Sequence, residues 1–312
     1  MIDRYLLRYF LSVIDQGNFS RAAAACNVSQ PTLSVGIAKL EREVGRPLFH
    51  RTNKRVELTE AGVRFAIRAR RIEAEFALAE REVLGISAPS TLRLGVLATL
   101  PQAWIEGFLA RLEPGRERIE LVEGRERELI ERLGRGRIDC ALTLIRPDQQ
   151  RFVAEPFLEE GYALAVPASH PLTGRDEIEP EELAGETMIV RRQCEALADT
   201  SRYFTARGVR PFFATRTTND ERALAMVRAG LGITVMPEGY VAEGVARPRL
   251  AGFALRREIG LLHGGQLSSD RPGGEGAISA IRAAMALAGS ATGGSSPKRN
   301  RARSEDRARQ IS

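Results

Sequence analysis

The chain has little cysteine, little histidine and few aromatic residues. Its 312 residues hold three cysteines and three histidines, and aromatics make up 6%. Cys26, Cys140 and Cys194 lie far apart and form no CxxC pair, so no disulfide framework is expected and a reducing compartment is. His50, His170 and His263 are equally scattered, which excludes zinc-like spacing. No run of about 20 apolar residues occurs, so no transmembrane helix is expected. Asp3, Arg4, Arg8 and Asp15 interrupt the apolar runs a signal peptide would need, and the cytoplasm is the expected location. GxSxG, P-loop and metal-cluster patterns are missing, and GLGIT at 230–234 lacks dinucleotide spacing. An enzyme is therefore not expected, and neither is a cofactor. With aromatics scarce, the cores must come from Leu, Val, Ile and Ala.

The charge is uneven. The formal net charge is +6; residues 1–59 carry nine Lys/Arg against five Asp/Glu, and 289–312 carry six against two. Residues 60–288 hold 31 against 33, so a basic head and a basic tail flank a nearly neutral body. Such a head suits nucleic acid.

Residues 19–40, FSRAAAACNVSQPTLSVGIAKL, read as two short helices joined by a tight turn. Ser20 is positioned to cap the first and Ser29 the second, whose first turn tolerates Pro31. Leu33, Ile37 and Leu40 recur at helical spacing and give the second helix a buried face. Gln30, Thr32, Ser34 and Lys39 fall opposite, suited to base edges and phosphates in a major groove. This is the layout of a helix-turn-helix. Ahead of it, Tyr5, Leu6, Tyr9, Phe10, Val13 and Ile14 form another helical stripe. Behind it, Pro47–Phe49 and Val56–Leu58 flank a cationic turn with Arg51, Lys54 and Arg55, a β-hairpin wing placed to touch DNA.

A helical pattern then runs from Thr59 to about Ile86. Phe65, Ala69, Ile72, Phe76, Ala79, Val83 and Ile86 recur as a heptad seam, which predicts pairing with a second copy. After the linker Ser87–Ser90, strand and helix alternate in two successive sets, implying two mainly parallel α/β lobes with a ligand cleft between them. Ile278–Ala288 is a final helix returning to the first lobe, and the polar tail from Gly289 has no apolar face and is expected to be disordered.

A winged head, a heptad helix and two α/β lobes, in that order, resemble the LysR-type transcriptional regulators over roughly residues 1–288. FSRAAAACNVSQPTLSVGIAKLE is similar to the family's head signature, and LFHRTNKRVELTEAG to its wing and linker start. LVEGRERELIERLGRGRIDCAL and AMVRAGLGITVMPE are similar to its lobe motifs. Two positions depart from the family pattern. Gly36 presents no side chain to DNA and costs about 1 kcal/mol of helix stability, and Val35 replaces a frequent cation.

The resemblance implies a mainly α winged helix-turn-helix domain at 1–59 and a linker and dimerisation helix at 60–88. It also implies a periplasmic-binding-protein-like effector domain at 91–288. Lobe one is about 91–162 plus 265–288, and lobe two about 163–264. The implied assembly is a homodimer through the linker helix and a homotetramer on promoter DNA, with RNA polymerase as a further partner and no membrane contact. Ser20, Gln30, Pro31, Thr32, Ser34, Lys39, Arg51, Lys54 and Arg55 are the DNA candidates. Two helix N-termini, at Thr99 and at Thr218–Asn219, should face the cleft as anion sites, and both segments resemble effector contacts of the family. Arg146 would add a charge, and a carboxylate is the expected small-molecule effector. Cys194, in RRQCEA, stands where the family's peroxide-sensing branch has its reactive cysteine. Arg191 and Arg192 could lower its thiol pKa, but lobe two supplies no second cysteine. The alternative function is therefore a one-cysteine redox-responsive regulator.

Overall fold

Three helices form the head in the computed structural model, which describes residues 2–50, 56–83, 91–112, 118–264 and 274–291. They are α1 (Arg4–Gln16), α2 (Phe19–Ala25) and α3 (Gln30–Val44). Leu6, Leu7, Phe10, Leu11, Val13 and Ile14 bury one side of α1. Leu7 and Leu11 extend the stripe read from sequence, whereas Tyr5 lies outside it, 45% exposed. Between α2 and α3, Asn27 takes a left-handed φ of 55°, which a short polar side chain tolerates. On α3, Leu33, Gly36, Ile37 and Leu40 are buried.

The wing pairs β1 (Phe49–His50) with β2 (Glu57–Leu58), antiparallel. Phe49 stacks edgewise or tilted on Phe10 and Phe19, tying the wing to the head core. Helix α4 (Glu60–Val83) follows. Thr59 opens it, its hydroxyl accepting from the Gly62 amide at 2.9 Å and donating to the Pro47 carbonyl at 2.7 Å. The start of α4 completes the head core with Ala66 and Ala69, both fully buried. Farther on, Ile72, Phe76 and Val83 are 41%, 44% and 88% exposed, so this part of the heptad seam lies outside the core of a single chain. Ile86 and the linker 87–90 lie outside the described residues.

The first lobe contains β3 (Thr91–Leu97), α5 (Gln102–Leu109), β4 (Arg118–Gly124), α6 (Glu126–Gly134), β5 (Cys140–Leu144) and β6 (Val153–Glu160). The second contains β7 (Tyr162–Pro167), β8 (Glu177–Ile178), β9 (Thr187–Arg191), α7 (Leu197–Ala206) and β10 (Phe212–Thr217). It continues with α8 (Asp220–Arg228), β11 (Thr234–Pro237), β12 (Val245–Ala246) and β13 (Arg249–Leu250). The chain then returns through β14 (Arg257–His263) and α9 (Gly274–Ala291).

The first sheet runs β4-β3-β5-β14-β6, with β3, β4 and β5 parallel and β14 antiparallel to both neighbours. This corrects the lobe boundary. The return to lobe one begins at Arg257, not at 265, because β14 fills the sheet between β5 and β6. The sheet of lobe two also departs from the parallel expectation, since β11, β12 and β13 all pair antiparallel with β7; β9 and β10 are parallel. Helix α9 passes Ala288 and ends at Ala291, so the first residues of the expected tail, Gly289–Ala291, are helical. The remainder, 292–312, lies outside the described residues. Among the described residues no helix is long and apolar enough to cross a membrane.

Candidate nucleic-acid interface and effector cleft

Ser29 caps α3, accepting from the Thr32 amide at 3.3 Å. Its hydroxyl also lies 2.7 Å from that of Thr32. Gln30, Pro31 and Thr32 are exposed on the first turn, and Gln30 donates through Nε2 to the half-buried Ser34 hydroxyl at 2.9 Å. The cap of α2 is Asn18, not Ser20. Its Oδ1 accepts from the amides of Ser20 and Arg21 at 2.8 and 3.1 Å, and Ser20 sits exposed inside the helix. Asn18 precedes the helix in extended backbone, the conformation a cap requires.

Lys39 leans back onto α1, donating to Asp3 at 3.0 Å and to the Tyr5 hydroxyl at 3.2 Å. The Asp3 bond, followed by the Tyr5 bond, raises its pKa, so it is a cation held by an internal partner. Gly36 is not on the reading face. It is buried, and a Cβ there would stand 2.7 Å from the Tyr9 ring. Its missing side chain serves the approach of α1 to α3, not the groove. Val35 is 67% exposed. Arg51, Lys54 and Arg55 lie outside the described residues.

The cleft is organised around one carboxylate that sequence reasoning missed. Glu195, from the loop after β9, accepts from Thr99 Oγ1 at 2.9 Å, from the Tyr162 hydroxyl at 2.7 Å and from Arg257 Nη1 at 2.5 Å. Thr99 belongs to lobe one, Glu195 and Tyr162 to lobe two, and Arg257 to the returning strand. Arg257 also donates to the Thr99 carbonyl at 3.0 Å and to Glu160 at 2.8 Å. The second oxygen of Glu160 accepts from the Gly239 amide at 2.5 Å. The side chains of Arg257 and Glu160 are 1% and 0% exposed. Burial alone would raise the Glu195 carboxyl; the Arg257 charge, a backbone bond and the Tyr162 hydroxyl reverse this and hold it down at about 2.

A second buried pair lies beside it. Arg191 grips Asp220 with Nε and Nη2, the Nε bond being 2.8 Å, and donates from Nη1 to the Val235 carbonyl at 3.0 Å. The same Nη1 lies 3.3 Å from Cys194 Sγ. Burial dominates, and the Cys194 thiol is pushed up to about 11 despite the Arg191 charge. Arg191 does lower it, as expected, but burial outweighs that charge. Arg192 is exposed.

The two helix N-termini also differ from expectation. At the start of α5, the Gln102 amide donates to Glu221 at 3.0 Å, a carboxylate of lobe two. Asn219 caps α8, accepting from the Arg222 amide at 2.7 Å, while Asp220 and Glu221 place acids in that first turn. Thr218 is exposed. The chain's own carboxylates thus already compensate both termini. Arg146 pairs with Glu126 at 3.1 and 3.3 Å and lies within electrostatic reach of the Glu195 carboxylate. Arg191 and Asp220 are 29 residues apart in sequence, Thr99 and Glu195 96, and Thr99 and Arg257 158, so no local spacing could have signalled them.

A reading helix with its wing, a long half-exposed helix and two lobes closing on a buried charge network define a helix-turn-helix regulator with a ligand-binding body. Residues 5–63 match the bacterial regulatory helix-turn-helix protein model of the lysR family, and residues 87–266 match the LysR substrate binding domain. The chain belongs to the LysR family of DNA-binding transcriptional regulators with an effector-binding domain. Over 238 residues it is 30% identical to the hydrogen peroxide-inducible genes activator of Dickeya chrysanthemi, covering 74% of this chain and 77% of that protein. The same identity, length and coverages relate it to the DNA-binding transcriptional dual regulator OxyR of Escherichia coli K12. Its fold is similar to that of ArgP from Mycobacterium tuberculosis, with a TM-score of 0.66 at 20% identity, covering 91% of this chain and 98% of that one. Full-length OxyR from Pseudomonas aeruginosa aligns with a TM-score of 0.56 at 23% identity, covering 92% and 98%.

Proposed function

We propose that the protein reads a promoter as a homodimer paired through α4, assembling to a homotetramer, and that a small carboxylate effector entering the cleft changes how it holds DNA. The reading helix works through Gln30, Pro31, Thr32 and Ser34, with Ser20, Lys39, Arg51, Lys54 and Arg55 on phosphates or in the minor groove. Gln30 suits adenine, and Thr32 and Ser34 suit several bases. Thr99, Arg146, Cys194, Thr218 and Asn219 are the effector candidates, RNA polymerase is the downstream partner and the cytoplasm is the compartment. The observation that carries the effector reading is the convergence of Thr99, Tyr162 and Arg257 on one carboxylate, contributed from both lobes.

The test selects an operator from random double-stranded DNA with the full chain, then follows affinity against salt and against a panel of carboxylates. Specific binding should weaken steeply with salt. Gln30→Ala should lose discrimination at one base while the salt slope stays unchanged. Equal affinity for all sequences would refute the reading.

The names of the relatives favour a second reading, a one-cysteine peroxide response. The Cys194 thiolate would attack a peroxide oxygen; the O–O bond breaks, an S–O bond forms, and water leaves with the thiol's proton, giving a sulfenic acid. Loss of peroxide-dependent promoter binding in Cys194→Ser, with the carboxylate panel inert, would select this reading. The high thiol pKa weighs against it.

A further inference from the structure

Three donors from separate parts of the chain surround the Glu195 carboxylate. Thr99 addresses Oε2, while Tyr162 and Arg257 address Oε1. Each is at least nine-tenths buried: Thr99 is 2% exposed, Tyr162 4% and Arg257 3%. The two oxygens are read separately, as a planar carboxylate requires, and the cation at one of them supplies charge. Glu195 itself comes from a loop, between the end of β9 at Arg191 and the start of α7 at Leu197. The receptor is therefore built on strands and on the approach to a helix, whereas its occupant hangs on a loop.

We propose that Glu195 is a tethered occupant of a carboxylate receptor formed by Thr99, Tyr162 and Arg257, and that an effector acts by exchanging its own carboxylate for that of Glu195. This rests on the reading of the cleft as the effector site and adds how the site is kept filled without effector. A receptor left empty would leave the buried Arg257 guanidinium with Glu160 as its one carboxylate and with the Thr99 oxygens, and would take the acceptor from the Tyr162 and Thr99 hydroxyl protons, which is costly. Glu195 removes that cost and bridges the lobes. Exchange replaces a covalently anchored bridge with one that is free to leave. It also moves the residue next to Cys194.

Glu195→Ala keeps the three donors and removes the occupant. The full-length variant is compared with wild type by thermal unfolding without DNA, in sodium acetate, sodium chloride and sodium sulfate at matched ionic strength. Glu195→Ala is expected to melt lower than wild type in chloride and to recover saturably in acetate, each melting point being taken relative to wild type in the same salt, since sulfate stabilises folded proteins generally. The recovery should disappear in Glu195→Ala/Tyr162→Phe. Should Glu195→Ala not fold in chloride, the yield of folded protein on refolding in acetate becomes the readout, and acetate must restore it. Recovery no better than in chloride, equal recovery in sulfate, or recovery that persists without the Tyr162 hydroxyl overturns the proposal. Because the readout needs no DNA, its failure is distinct from a failure of the promoter-binding reading, which the operator selection measures.

Discussion

A Cβ on Gly62 would overlap the carbonyl oxygen of Leu48, so the first turn of α4 lies directly on the backbone that enters the wing. The obstacle is main chain at a hairpin already fixed by the Phe49–Leu58 pairing and by the Thr59 bond to Pro47. Gly62→Ala should gain up to about 1 kcal/mol of helix propensity and lose about 1–3 kcal/mol to overpacking. A net destabilisation is therefore expected, read as a lower denaturant midpoint with unchanged slope and weaker DNA binding from a displaced wing. A Gly62→Ala protein as stable as wild type would mean that α4 can retreat from Leu48.

The Arg191–Asp220 pair offers a sharper test of buried charge. Their side chains are 2% and 4% exposed. Asp220→Ala strands the guanidinium beside the Val235 carbonyl and the Cys194 sulfur, and breaking such a pair costs about 3–5 kcal/mol. Chemical denaturation should show that loss. Arg191→Met/Asp220→Leu removes both charges and is expected to recover much of it, since an apolar pair needs no desolvated partner. Double-variant stability no better than Asp220→Ala would show that the bond from Arg191 to the Val235 carbonyl and the 3.4 Å bond from the Tyr240 hydroxyl to Asp220, not the charge pair, govern the site.

Much of the head was legible in the sequence because its signals are local. The Leu33, Ile37 and Leu40 stripe follows from helical periodicity, and the Ser29 cap from its place just before that stripe. The same local logic chose Ser20 where Asn18, two residues earlier, holds the cap. It also assigned Gly36 to the groove, since only the tertiary approach of Tyr9 reveals which way the position faces. In the body, β6 was hidden by Pro156 and by its acidic residues, features an edge strand tolerates. The membership of β14 in the first sheet depends on a crossing that no periodicity encodes. Thr99 could be nominated by its position before a helix, but Glu195, its partner 96 residues away, could not.

Two groups in the cleft give opposite pH signatures. Glu195 is held at about 2, below its ordinary 4.5. Its contribution is therefore fully present above pH 4.5 and is lost as pH falls toward 2. Cys194 is raised to about 11 from 9. Its contribution is present below pH 9 and is lost as pH rises toward 11, because the unfolded thiol ionises first. Each shift corresponds to about 3 kcal/mol by linkage. Denaturation of Glu195→Gln should lack the acid limb, and that of Cys194→Ser the alkaline one. A wild-type alkaline limb that Cys194→Ser retains would place the titration elsewhere.

The exposed half of the α4 seam sets the expectation for assembly. Ile72, at 41% exposure, belongs to a face it shares with Phe76, over which the Arg4 guanidinium sits at 4.3 Å. The same Arg4 reaches Glu73 at 3.0 Å and Glu80 at 2.8 Å, so α1 flanks this face and leaves its apolar centre open. Pairing of two copies would bury that centre, and each seam side chain would then be worth about 1.5–3 kcal/mol on full burial. Ile72→Glu leaves the single-chain core intact, since the side chain is outside it, but sets a carboxylate in the seam of both copies. Sedimentation should show the wild type as a dimer or tetramer and Ile72→Glu shifted to a smaller species. DNA binding should fall with it, because one reading helix covers only half of a two-fold site. An Ile72→Glu protein that keeps the wild-type mass would move the dimer contact off α4 and onto the lobes.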